Sequence, residues 1–240
     1  MAPGRLYREQ GVVLRTIKLG DADRIVSFVT PGRGKVRAVA KGVRKTKSRF
    51  GGRLEPVSHV AIQCYEGRSL DTVTQAESID HFRAVREDLQ RVTRATTLLE
   101  VVDQVSQEGE ADPRLYQMLV GALRALEARD APLLVGAFFL KLLDAEGLCP
   151  VLGGCVVCGE EVALVAFDIT AGGVLCRSHR SGLPISGNGL ELMRRILGGG
   201  LTSALAEPDG PLVTEVTHLA TVAMETHLER RLRSISVLDQ

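Results

Sequence analysis

An α+β chain of two parts is predicted: a small five-stranded barrel of oligonucleotide-binding type, then an all-helical region carrying a zinc knuckle. Three observations lead there. Residues 11–80 fall into five short β-rich runs separated by turn residues. From residue 81 the hydrophobic period changes to that of helices. Within the helical part, Cys155-x2-Cys158 and Cys176-x2-His179 form two ligand pairs with 17 residues between them.

The strands come first. Gly11 to Leu19 and Arg24 to Thr30 are rich in β-branched residues and flank Gly20-Asp21-Ala22-Asp23, a turn signal. After Pro31-Gly32-Arg33-Gly34, Val36, Ala38 and Ala40 alternate with Lys35, Arg37 and Val39. Ser58 to Tyr65 and Leu70 to Ile79 complete the set, joined by Glu66-Gly67-Arg68-Ser69. Five strands with a long connection between the third and fourth suit a closed oligonucleotide-binding barrel, and periodicity alone leaves an SH3-like barrel open. The expected domains are therefore a nucleic-acid-binding barrel over 1–80 and a helical domain over 81–240, with the zinc insert at 149–182.

In the second part, Val92, Thr96, Leu99, Val102 and Val105 share one predicted helical face. Asp112-Pro113 reads as an N-cap followed by proline in the first turn, opening a helix with Leu115, Met118, Leu119, Ala122, Leu123 and Leu126 inward. Leu133 to Leu143 is apolar almost all round, as a buried central helix would be, and Gly147 is a stop signal. A short helix near Leu190 to Leu197 precedes Gly198-Gly199-Gly200, and a last helix spans about Pro211 to Leu232.

Charge is distributed unevenly. The net formal charge is +1, yet residues 1–80 carry 15 bases against 8 acids (+7), leaving 15 against 21 (−6) for 81–240. Arg33, Lys35, Arg37, Lys41, Arg44, Lys45, Lys47, Arg49 and Arg53 crowd into 21 positions, and no acid lies between Asp23 and Glu55. Such a run is either a solvated loop or a polyanion contact. Its continuation into strand residues, and glycines at 34, 42, 51 and 52 that let a phosphate come close to the backbone, favour the contact. Arg15, Lys18 and Arg24 extend the set, so DNA is expected to be held through phosphates, with little sequence preference. Aromatic residues are few, and Phe50 is the best stacking candidate, with a role as loop anchor its alternative.

Paired ligands two residues apart let one tight turn present both to an ion, and four protein ligands leave no open coordination position. A structural Zn2+, one per chain, is expected on Cys155, Cys158, Cys176 and His179, with Cys149 as the alternative fourth ligand. No catalytic constellation can be assembled: His59, His81, His218 and His227 read as surface or packed histidines, Gly32-Arg33-Gly34-Lys35 lacks the NTPase-loop spacing, and the basic half holds no acid cluster for two metals. The N-terminus has no signal-peptide core and no run is long enough to span a bilayer, so a cytoplasmic, nucleoid-associated protein without membrane contact is expected.

The stretch LYREQGVVLRTIKLGDADRIVSFVTPGRGKVRAVAKGVRKTKSRFGGRLEP resembles the N-terminal domain of the RecO recombination mediators, and GLCPVLGGCVVCG through GGVLCRSHR resembles that family's zinc insert. One departure is His179, where many members have cysteine. The resemblance implies a non-enzymatic protein of recombinational DNA repair. Such a protein would bind single- and double-stranded DNA, anneal complementary strands and help load the RecA recombinase onto DNA coated with single-strand binding protein (SSB). It implies RecR and the C-terminal tail of SSB as partners. A zinc-dependent enzyme acting on nucleic acid, or a zinc-bearing DNA-binding regulator, is the alternative.

Overall fold

The computed structural model describes residues 5–234. Five strands, β1 (Leu6–Leu19), β2 (Asp23–Thr30), β3 (Gly34–Ala40), β4 (His59–Tyr65) and β5 (Asp71–Asp80), close into a barrel in the order β1-β2-β3-β5-β4. All neighbours are antiparallel except β3 and β5, which run parallel where Ala38 and Val39 meet Asp71 and Thr72. This order is that of the oligonucleotide-binding barrel.

One long strand makes closure possible. β1 pairs β4 through Leu6–Val12 and β2 through Val12–Leu19, with a register break between Val13 and Arg15. A bulge bends a strand and interrupts its alternation. Accordingly Val12, Val13 and Leu14 are all buried in succession, facing opposite sides of the wall. Alternation is regular in β3, where Val36, Ala38 and Ala40 point into the barrel. The interior is filled by Phe28, Phe50, Leu54, Val60 and Ile62, among others.

Three helices belong with the barrel: α1 (Arg83–Glu87), α2 (Leu89–Val105) and α3 (Pro113–Ala128). Asp88 and Asp112 cap α2 and α3, accepting from the backbone N–H groups of Arg91 and Leu115, and Pro113 starts α3 as its sequence predicts. The inward face of α2 differs from expectation: Ala95, Leu98, Val101 and Val102 are buried and Thr96 is exposed. Thr96 instead donates its hydroxyl to the carbonyl of Val92, one turn back. In α3, Tyr116 and Val120 are buried beside the expected leucines, and Met118 is only half-buried. By compactness the chain divides into two units, one built from the chain through Arg129 and again from Leu232, the other from Asp130–Arg231.

The second unit holds α4 (Leu134–Ala145), β6 (Leu164–Asp168), β7 (Gly173–Cys176), β8 (Leu183–Pro184), α5 (Gly187–Leu197), α6 (Leu201–Ala204) and α7 (Pro211–His227). α7 ends at His227, short of Leu232, where the chain turns through Leu228 and a left-handed Glu229 (φ 52°). α4 is buried on nearly every side and packs on α7. A Cβ on Gly136 would stand 2.9 Å from Thr217 Cα, so glycine lets these two helices approach. Among the described residues no helix is long and apolar enough to cross a membrane.

Candidate nucleic-acid interface and metal centre

The β3–β4 connection, residues 41–58, is an ordered loop. Gly42 N–H donates to Asp23 Oδ1 (2.7 Å) and Arg44 N–H to the Ala22 carbonyl (2.9 Å), which ties the loop to the β1–β2 turn. Val43, Phe50 and Leu54 insert into the barrel core. A short 3-10 turn, Gly51–Leu54, sets the last of these anchors. Phe50, 1% exposed, is therefore the loop's anchor, and a base cannot stack on a ring enclosed by the core. With the apolar residues drawn inward, Lys41, Arg44, Lys45, Lys47, Arg49 and Arg53 are all left exposed. The Arg49 guanidinium lies over the Phe50 ring, its Cζ 4.8 Å from the centroid. Arg44 donates to the carbonyls of Gly20 (3.2 Å) and Asp21 (3.0 Å), fixing its guanidinium beside the turn.

The twelve predicted bases separate into two sets. Lys18 and the six loop bases have no carboxylate partner among the described residues. The other five are met by the protein's own acids. Arg15 Nε lies 2.8 Å from Asp103 Oδ2, and Lys35 Nζ is 3.3 Å from the same carboxylate's Oδ1. Arg37 reaches Glu108 (3.4 Å), Arg24 reaches Glu55 (2.6 Å) and Arg33 reaches Glu66 (3.8 Å). Arg33 also lies over the Tyr7 ring, 3.8 Å from its centroid. Tyr7 in turn donates its hydroxyl to Asp71, and burial followed by that hydrogen bond raises its pKa. The strand bases thus belong partly to the packing of the barrel. Their acids at 103 and 108 are 68 to 88 positions away in the chain, and no local pattern announces them.

In the second unit, the paired ligands converge. The first knuckle is a tight turn: Gly159 N–H donates to the Cys155 carbonyl (2.8 Å), and Cys155 N–H to that of Glu160 (2.8 Å). Gly159 takes φ 77°, which glycine adopts without strain. The segment leading into the knuckle lies along β7, with Val151 N–H bonded to the Gly172 carbonyl and Val156 N–H to that of Val174. This clasp needs Gly173, whose Cβ would fall 2.3 Å from the Val151 carbonyl oxygen. β6 and β7 form a hairpin, and the second pair runs from Cys176, the last residue of β7, into the 3-10 turn Arg177–His179.

The ligand atoms of Cys155, Cys158, Cys176 and His179 all lie within 4.8 Å of one another, a group that could hold a metal ion. Cys158 Sγ is 3.8 Å from Cys176 Sγ, and His179 Nδ1 is 3.7 Å from Cys155 Sγ and 3.4 Å from Cys176 Sγ. Thiolates about 2.3 Å and an imidazole about 2.0 Å from a common centre stand about 3.8 Å (S–S) and about 3.5 Å (S–N) apart at tetrahedral corners. The donor set and its spacing therefore fit a tetrahedral ion. Cys149, the alternative fourth ligand, is exposed and outside the group. Burial opposes ionisation of Cys155, but the backbone N–H groups of Cys176, Val157 and Cys158 draw its pKa down to about 6. The sulfurs of Cys176 and Cys155 hold the His179 pKa above its ordinary value. The remaining cysteine, Cys64, is a buried wall residue of β4 whose pKa burial pushes up to about 12.

Comparison with known proteins covers the chain from end to end. The family model for the N-terminal domain of recombination protein O matches residues 1–82, and that for its C-terminal domain matches 86–235. A protein of Bifidobacterium longum named DNA repair protein RecO is 42% identical over 240 residues, covering 98% of this chain and 99% of that one. Proteins of the same name from Bifidobacterium adolescentis (41% over 251 residues) and Frankia casuarinae (39% over 241 residues) match to the same extent. On this evidence the chain belongs to the RecO family.

Proposed function

We propose that this protein mediates recombinational DNA repair by gripping the sugar–phosphate backbone with the β3–β4 loop. The observation that carries the proposal is the loop itself: six exposed bases, together with Lys18, that no carboxylate of the described chain neutralises. Uncompensated cations on an anchored loop are a phosphate-binding surface whose sequence preference is low, because phosphates are the same in every sequence. Single strands and duplexes both present them. By screening the repulsion between two backbones, the same surface lets complementary strands meet and anneal, with no covalent step. Family membership supports the wider role, which is to help load the RecA recombinase onto SSB-coated DNA, with RecR and the SSB tail as partners.

The Cys3His group is proposed to hold one Zn2+ that fixes the knuckles and the hairpin. All four positions are protein ligands, so the ion has no open site for water and the role is structural. A closed structural site suits a non-enzymatic mediator, which is the reading proposed.

Titrating labelled oligonucleotides against the protein at increasing salt tests the proposal. If about four to seven phosphates are neutralised, log affinity falls against log salt with a slope of about −4 to −6 on duplex. Changing Lys41, Arg44 and Lys45 together to Ala should flatten that slope by about 2 to 3 and weaken both kinds of DNA alike. A flat response in the native protein would remove the proposal.

A further inference from the structure

We infer that Asp103 and Glu108 mark the boundary of the DNA-binding surface, by holding Arg15, Lys35 and Arg37 out of the set of bases available to phosphate. The inference rests on the DNA-binding reading above and sharpens it. On the outer wall of the barrel, Arg15, Ser27 and Arg37 are register partners across β1, β2 and β3, so the two arginines stand in one row. Lys35 lies two residues along β3 from Arg37, on the same outer face. Without acids nearby, these three would continue the cationic surface of the loop along the wall.

Instead the carboxylates occupy the places that phosphates would take. Asp103 bridges Arg15 and Lys35, and Glu108 takes Arg37. Lys35 Nζ also donates to the Asp103 carbonyl. Asp103 is enclosed, and the backbone that carries Glu108 is held against the barrel. Asp103 is on α2, which packs on β1, and the chain just beyond it is joined to β3 by the hydrogen bond from Lys35 N–H to the Gln107 carbonyl (2.9 Å). At that junction a Cβ on Gly34 would lie 2.0 Å from the Glu110 carbonyl oxygen, so the backbones are already as close as glycine allows. Arg37 Nε is buried without a hydrogen-bond partner, leaving Glu108 the carboxylate that meets this guanidinium. Asp103 is built into the wall, and Glu108 lies on its surface against Arg37.

The test is the salt slope of DNA binding in full-length variants, with thermal melting as the check on folding. Arg37→Ala should leave the slope where the native protein has it, because Arg37 makes no phosphate contact. Glu108→Gln, at a half-exposed position, should steepen it by about 0.9 on duplex, one additional phosphate neutralised. The double variant should return to the native slope. Asp103→Asn should steepen it by up to about twice that amount. A fall of about 0.9 in Arg37→Ala, or an unchanged slope in Glu108→Gln with the fold intact, overturns the inference. A flat slope in the native protein would instead remove the DNA-binding reading itself, so the two failures are distinct.

Discussion

His59 shows how one residue couples the barrel to the helices that cover it. Its ring is 3% exposed at the start of β4, with Nε2 2.7 Å from the Tyr116 hydroxyl of α3. Nδ1 is buried and has no hydrogen-bond partner among the described residues. Protonation would make both nitrogens donors and leave one N–H unpaired away from water, which is costly. Burial first, and the Arg124 charge second, lower its pKa below the usual 6.5. The sign follows: the unfolded chain takes up this proton more readily than the folded one, so the contribution is complete above about pH 6.5 and is lost as pH falls from there to the lowered folded value. We expect the melting temperature of the native protein to drop more steeply below pH 6.5 than that of His59→Gln, by differential scanning calorimetry. Parallel curves would show that His59 is not the group responsible. A lone histidine beside a strand is more often packed than catalytic, and that much the sequence conveys; its partner 57 positions away it does not.

Among the elements, the β3–β4 loop depends most on long-range packing. Its charge was evident from the residue types alone, and so were the alternation in β3 and the turns on either side. What could not be read was the direction of Phe50, because an aromatic among bases serves equally well as a platform or as an anchor. The barrel core settles it as an anchor together with Val43 and Leu54. The same distinction explains α2: its apolar period was visible, but a threonine on the expected face could satisfy its hydroxyl on the previous turn and face water, rotating the buried stripe. Strand pairing escaped the pattern as well, since the short parallel contact of β3 with β5 is set by closure of the wall and not by any local signal. Removing the anchor should therefore have two effects. Phe50→Ala should cost about 3–5 kcal/mol of stability, as large-to-small changes in a packed core do, read by urea unfolding. Under conditions where the variant is still folded it should also weaken DNA binding, with Lys41, Arg44, Lys45 and Lys47 all still present. Native-like affinity in a folded variant would mean that the bases act without a positioned loop.

For the whole molecule, the question is which work belongs to which compact unit. The seven bases proposed to touch phosphate, Lys18 and the six of the loop, lie in the barrel unit, and the Cys3His group in the unit of Asp130–Arg231. Metal binding is coupled to folding where the ligands are gathered from separate turns, because the unfolded chain has no such site. Here the ligands come from a knuckle and from the end of β7, joined by backbone hydrogen bonds at Val151, Val156 and Val174. Without the proposed ion, thiolates at these positions would repel one another, and the hairpin would lack the cross-link proposed to close it. We therefore expect about one equivalent of zinc per chain by emission spectrometry. A strong chelator should lower the melting temperature and expose the cysteines to a thiol reagent. At a temperature where the chelated protein is still folded, the salt slope of DNA binding should not move, because every base proposed to touch phosphate lies in the other unit. A changed slope on chelation would place part of the DNA contact on the unit of Asp130–Arg231 and require the footprint to be redrawn across both.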